Sequence, residues 1–281
     1  MSSDTIQLGG LRREARLLRT TWAYELRRQA AFRAGFVVRE VLRGVMGPAL
    51  MIAVFHALYS RDGVTTMRGW SYRELVGYLI LVATFEKLLF HLRGLDLADQ
   101  IFEGYLTKYL VMPMRFFALA QGRFLQYLTV QLITSAGLWA AGSLLLPQWW
   151  PSPVSAIALL QALTLILLGS YCYFLVYFLV NALAFWLEVV WTLLVMSGFV
   201  LAFLSGTMLP ISILPESARA VFAWTFPYWS LSAPIEIYLG RLGGDAFWRG
   251  VAVLAASIAL LEVARRTVWA LGRRHYAGGG M

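Results

Sequence analysis

Long apolar runs separated by short charged or proline-bearing stretches make up most of the chain. Six runs stand out, at about 41–59, 74–92, 116–146, 154–180, 188–209 and 246–268. A bilayer core about 30 Å thick asks for roughly 20 apolar residues per helical crossing. The pattern therefore predicts six transmembrane helices. The third run exceeds one crossing and must tilt or protrude. The fourth and fifth are joined by "VNALAFWLE", which leaves room only for a tight hairpin.

Two other segments follow the helical period. In 11–31, Leu11, Ala15, Leu18, Trp22 and Leu26 share one stripe, with Arg12, Arg16, Arg19 and Arg27 on other faces. A basic amphipathic helix with Trp on its apolar side lies flat in the membrane interface. In 97–112, Leu97, Ile101, Tyr105 and Tyr109 are spaced by four, and Phe102, Leu106 and Leu110 form the adjacent row. Asp99, Glu103 and Lys108 cover much of the rest, Gly104 leaves a notch, and Pro113 ends the helix. This predicts a short helix parallel to the membrane whose apolar face needs a cover.

Composition excludes the soluble alternative. Hydrophobic residues are 59% and charged residues 14%, against about 45–50% and 25% in soluble domains. Of the 24 basic residues only Lys87 and Lys108 are lysines. The arginines flank apolar segments instead of forming one stripe, so membrane orientation explains them better than nucleic acid does. Residues 1–43 carry nine arginines, and Arg265, Arg266, Arg273 and Arg274 lie near the other end. An even number of spans with basic flanks places both termini, and the 93–115 loop, in the cytoplasm. Arg61, Arg68 and Arg73 on the outer 60–73 loop run against that rule. The uncharged "PQWWPSP" at 147–153 suits the outer interface.

Candidate chemistry is sparse. The single Cys172 allows no internal disulfide. His56, His91 and His275 are scattered without metal-ligand spacing, so no metal site is expected. The chain lacks a G-x-x-x-x-G-K-[ST] phosphate loop, so an ATPase driving it would be a separate chain. Glu86 and Lys87, near the end of the second run, could pair at the interface or line an inward cavity with Gln126, Gln131 and Asn181. Glu262 has Arg265 and Arg266 at i+3 and i+4, the spacing of a local ion pair. In 210–240, Pro210, Pro215, Pro227 and Pro234 forbid one continuous helix, and "PESARAVFAWTF" can form a short amphipathic one. Short segments that dip in and return would satisfy the backbone there.

Taken in order, these features resemble the membrane subunit of an ABC-2 type transporter, a six-span half-transporter of ABC exporters. The resemblance rests on the basic helix before the first span, "IFEGYLTKYLVMP" (Ile101, Gly104, Leu106, Leu110, Pro113), the six spans, and Ser205, Gly206, Pro210 and Pro215 with Pro227 further on. It implies an all-α integral membrane fold in one transmembrane domain over 1–281. That domain would have a cytoplasmic N-terminus (1–40), a six-span bundle (41–268) and a cytoplasmic tail (269–281). Residues 97–112 would be the coupling helix between spans two and three, with short outer-face helices before span six. The resemblance further implies an ATPase-docking face of Leu97, Ile101, Phe102, Gly104, Tyr105 and Tyr109 with Glu103 as polar partner. Ser205, Gly206, Pro210, Pro215 and Pro227 would belong to an outer gate or re-entrant segment. No cofactor is implied in this chain. ATP and Mg would be bound by two copies of a partner ATPase, and a second permease, identical or related, would complete the assembly in the lipid of a prokaryotic cytoplasmic membrane. Within the family the chain looks most like exporters in which two permeases accompany one ATPase.

Two other functions remain open from residues alone. One is an ion-driven carrier or a membrane scaffold; a carrier would place charges at midplane, whereas here they lie near the ends. An intramembrane serine hydrolase would need Ser197 or Ser205 beside His56, and neither serine lies in the usual glycine setting.

Overall fold

The computed structural model describes residues 19–24, 27, 46–47, 49–60, 66–89, 97–111 and 116–276. Its elements are α1 (Ala49–Ser60), a two-stranded hairpin of β1 (Thr66–Met67) and β2 (Trp70–Ser71), α2 (Tyr72–Phe85), short helices α3 (Leu97–Phe102) and α4 (Leu106–Val111), α5 (Phe116–Leu145), α6 (Ala156–Ala182), α7 (Trp191–Ser205), three short helices α8 (Glu216–Phe222), α9 (Phe226–Ser230) and α10 (Ser232–Tyr238), and α11 (Gly244–His275). This is an all-α membrane protein. In hydrocarbon a helix satisfies its own backbone, which is why apolar runs of this length fold so.

Among the described residues, three helices are long and apolar enough to cross a membrane: α5, α6 with its 3-10 extension to Phe185, and α11. The apolar helices α1 and α7 are shorter. With 30 residues, α5 is about 45 Å long and exceeds a bilayer core of about 30 Å. The sixth apolar run also extends beyond its expected end. Its helix continues to His275, so much of the segment expected as a tail is helix. Of the N-terminal amphipathic segment, residues 19–24 and 27 are described and are helical. There Trp22 donates its indole N–H to Thr129 Oγ1 of α5 at 3.1 Å, so this tryptophan docks on the bundle.

Helix α6 is the centre of the bundle. Leu165, Ile166, Cys172, Phe174, Leu175, Phe178 and Ala182 are fully buried along it, and α9, α10 and α11 pack on it. Its start is set by Ser155, whose hydroxyl accepts from Ala158 N. Outward apolar side chains such as Ile133, Leu144, Phe199 and Leu260 are more than half exposed. Such a surface is tolerable in lipid and costly in water.

The second apolar run departs from expectation. It is not one helix over 74–92: α2 breaks after Phe85 into a 3-10 turn, Glu86–Leu88. The capping box of Ser71 and Glu74 fixes its start. The carbonyls freed at the break are taken up by hydroxyls of neighbouring helices. Tyr127 on α5 reaches Lys87 O and Leu89 O, both at 2.9 Å. Ser170, in the middle of α6, donates to Leu88 O at 2.7 Å, and Ser135 donates to Thr84 O at 3.1 Å. Buried irregular backbone survives only with such partners. Ser170→Ala is expected to cost about 1–2 kcal/mol by orphaning a buried carbonyl, read as a lower thermal midpoint in detergent. Ser197→Ala, whose hydroxyl serves only Leu194 O of its own helix, is the control, and equal midpoints would mean that the break is satisfied otherwise.

Candidate functional site

The described stretch 97–111 is an elbow. It was expected as one helix ended by Pro113. Instead α3 and α4 are separated by Glu103–Tyr105, with Gly104 at φ +75°. Glycine adopts that left-handed backbone without the steric cost of a Cβ, so Gly104 permits a bend where the sequence suggested only a notch in a continuous helix. Pro113 lies outside the described residues.

The bend divides the expected docking face. Leu97 and Ile101 are 0% and 7% exposed, buried against this chain's own helices with Ala98 and Leu106. They hold the inner side of the elbow, where the sequence expectation had grouped them with Tyr105 on one outward face. Phe102 and Tyr109 are half-buried. The outward surface is Glu103, Tyr105, Thr107, Lys108 and Val111, with Tyr105 62% exposed.

Three anchors hold the elbow. Asn181, fully buried at the end of α6, accepts from Ala98 N at 3.3 Å and donates from Nδ2 to Tyr177 O at 2.8 Å. It thus satisfies an N–H of the first turn of α3, which has no intrahelical partner. An aromatic cluster forms the second anchor. Tyr109 meets Phe116 edge-on at 5.5 Å, and Phe116 stacks on Trp269 of α11 at 5.4 Å. Trp269 in turn packs on Phe178 and Phe185. The third is Tyr276, whose hydroxyl lies 2.9 Å from Gly104 O. Beside the elbow, Thr20, Thr21 and Tyr24 face Tyr109, Phe116, Leu119, Ala120 and Arg123 across a cleft of about 300 Å³.

The opposite end of the bundle carries a buried polar plug. Ser205 ends α7, and Gly206 follows at φ +80°. Tyr78 of α2 donates to Gly206 O at 2.7 Å and lies 3.2 Å from Ser232 Oγ. Ser232 Oγ accepts from Ile211 N and donates to Glu236 Oε1, both at 3.3 Å. Glu236 is 3% exposed. Burial pushes its carboxyl up, while hydrogen bonds with Ser212 and Ser232 and the Arg241 cation pull the other way. Trp70 donates to Ser212 Oγ at 3.1 Å, and the Arg241 guanidinium sits 3.8 Å above the Trp70 ring. Arg241 also pairs with Glu74 at 3.2 Å and reaches Gly69 O.

The 205–227 segment therefore brings three expected gate residues, Ser205, Gly206 and Pro210, into this plug or to its edge. Pro227, buried, opens α9, whereas Pro215 is exposed at the start of α8. Sequence reasoning missed Tyr78, Ser232, Glu236, Trp70 and Arg241. Only Glu236 left a signal, as a lone carboxylate inside the apolar "APIEIY".

Elsewhere, Glu262 accepts from Arg265 Nε at 2.8 Å and Nη2 at 2.6 Å and from Arg266 at 3.2 Å. This is the local pair that the i+3, i+4 spacing predicts. Glu86 and Lys87 are half-buried in the 3-10 turn, and Gln126 is half-buried on α5. Gln131, 6% exposed, accepts from Thr134. Asn181 serves the elbow. The hydrolase constellation is not assembled: His56 packs on Tyr72 at 5.6 Å, while the Ser205 hydroxyl lies 2.8 Å from Thr207. Among the described residues no group of three or more His, Cys, Asp or Glu is placed to hold a metal.

The structure thus offers an elbow with an exposed outer side at one end and a buried polar plug at the other, with no metal-ligating cluster among the described residues. A comparison with curated proteins finds no match. Residues 45–280 match the family model described as "ABC-2 family transporter protein". That match takes in α1 through α11, the elbow and the plug, and the chain accordingly belongs to the ABC-2 transporter family, as a membrane permease component.

Proposed function

We propose that this chain is the permease half of an ATP-driven exporter, worked by a separate ATPase that grips the elbow. The observation that carries the reading is the elbow itself. It turns Glu103, Tyr105, Lys108 and Val111 outward while Asn181, Trp269 and Tyr276 tie its inner side to α6 and α11. A surface so mounted can receive a push and pass it to the helices. In the assembly, two ATPase copies bind ATP and Mg, and a second permease, self or related, pairs with this one. The six apolar passages run up and down with both termini and the elbow in the cytoplasm of a prokaryote, as the arginine distribution favours. The plug around Tyr78, Ser232 and Glu236 is then the outer gate, which must part for cargo to leave.

Tyr105→Asp tests the docking. Losing an exposed aromatic anchor and adding a charge should weaken ATPase co-purification about 10–30-fold, equivalent to about 1.4–2 kcal/mol. Yield and thermal midpoint of the permease should not change, because Tyr105 lies outside the core. An ATPase that still co-purifies in full and hydrolyses ATP normally would remove the elbow from the interface.

A further inference from the structure

The last helix reaches far past a membrane. With 32 residues, α11 is about 48 Å long, against a hydrocarbon core of about 30 Å. Its end meets the elbow at Tyr276, through one hydroxyl with three contacts. That hydroxyl donates to Gly104 O at 2.9 Å and accepts from Thr107 N at 3.3 Å and Thr107 Oγ1 at 3.1 Å. A phenol has one proton to give and two lone pairs to fill, so its capacity is used completely. The partners lie on the two sides of the bend. Gly104 forms the left-handed turn, and Thr107 belongs to the first turn of α4.

The ring of Tyr276 is held as firmly as its hydroxyl. It packs edge-on against Phe185 at 6.2 Å, and Phe185 packs against Trp269 of α11 at 5.7 Å. At its other end α11 passes close to α9: a Cβ on Gly250 would meet the Trp229 ring at 2.7 Å. One helix therefore connects the elbow with a helix that precedes the plug residues Ser232 and Glu236.

We propose that Tyr276 is a positioning residue of the coupling machinery. It pins the bend between α3 and α4 to the end of α11, so that the elbow and the last helix move as one body when the ATPase closes. This rests on the docking reading above, and it adds a second route for the stroke. The push enters at Tyr105 and leaves through α11 toward α9, besides passing through Asn181 into α6.

The test uses spin labels in the full complex with its co-purified ATPase, without nucleotide and trapped with ATP and vanadate. Asp99, on α3 and outside the outward docking surface, and Arg273 are both exposed. A label pair at these positions should report the same distance in both states of the otherwise unaltered chain. Tyr276→Phe keeps the ring and removes only the hydroxyl. It should shift or split that distance in the trapped state, at unchanged ATPase co-purification. A second pair at Asp99 and Glu216 spans the two ends of the bundle and should change on trapping. If that pair changes and the Asp99–Arg273 distance changes with it in the unaltered chain, the elbow moves without α11 and this inference is overturned while docking stands. A Tyr276→Phe chain indistinguishable from the unaltered one also overturns it. If neither pair responds to trapping, the docking reading fails and takes this one with it.

Discussion

Gly169→Leu is expected to leave little folded protein after extraction into detergent. Gly169 sits in the middle of α6, where α9 crosses it. A Cβ there would lie 2.3 Å from Ser230 Oγ, 2.5 Å from its Cβ and 2.8 Å from its backbone Cα. Side-chain atoms can swing away, but a backbone atom moves only with its helix. Helix α9 has little freedom to move: Trp229 and Ser230 are buried, and the helix packs on α6, α7, α10 and α11. Overpacking costs typically 1–3 kcal/mol where side chains can yield. Here the cost should sit at the top of that range, about 3 kcal/mol, or roughly a hundredfold in the folded ratio. Gly137→Leu is the matched control, since nothing lies within 4 Å of a Cβ there. Size-exclusion recovery and thermal midpoint should fall for Gly169→Leu alone. Similar losses in both variants would mean that leucine harms α5 and α6 for reasons unrelated to the α6–α9 crossing.

Removing Glu262 should cost nearly as much, for an electrostatic reason. Arg265 is 8% exposed. Its guanidinium lies 3.6 Å from the Phe117 ring centroid and is held bidentately by Glu262. Glu262→Leu would strand that cation in a mostly apolar wall between α11 and α5. Breaking a buried pair costs about 3–5 kcal/mol. The Glu262 side chain is 22% exposed, so water softens the loss and about 3 kcal/mol is expected. Glu262→Leu with Arg265→Leu should recover most of it, because a pair replaced by apolar groups of similar size leaves no orphan charge. A double variant less stable than the single one would show that Arg265 has further partners. Arg266, 73% exposed, contributes little, as exposed pairs do.

The elbow shows where residue patterns stop informing. Spacing by four put Leu97, Ile101, Tyr105 and Tyr109 on one helical face, and that inference assumed an unbroken helix. Gly104 permits a left-handed turn but does not require one. The turn is chosen because α6 offers Asn181 on one side and α11 offers Tyr276 on the other. The break in α2 has the same origin. Nothing local in "ATFEKLLF" ends a helix, yet Tyr127, Ser135 and Ser170 wait on neighbouring helices to take the freed carbonyls. The plug was half legible. Proline spacing marked 210–240 as irregular, whereas Tyr78, Trp70 and Arg241 come from distant parts of the chain and carry no local mark.

By itself the sequence determined that the protein is a membrane protein, where its apolar runs lie, that its basic residues flank them, and that no phosphate loop accompanies them. Hydrophobicity is additive along a segment, so it can be read without knowing neighbours. It also determined the Glu262–Arg265 pair, because three residues of helix bring those groups together whatever surrounds them. Tertiary structure alone decided which side of the elbow is free, where α2 breaks, and how Ser232 and Glu236 come to close the plug beside Tyr78. Those are contacts between helices far apart in sequence. Their energies depend on which buried donors and acceptors meet, and that is settled only when the helices pack.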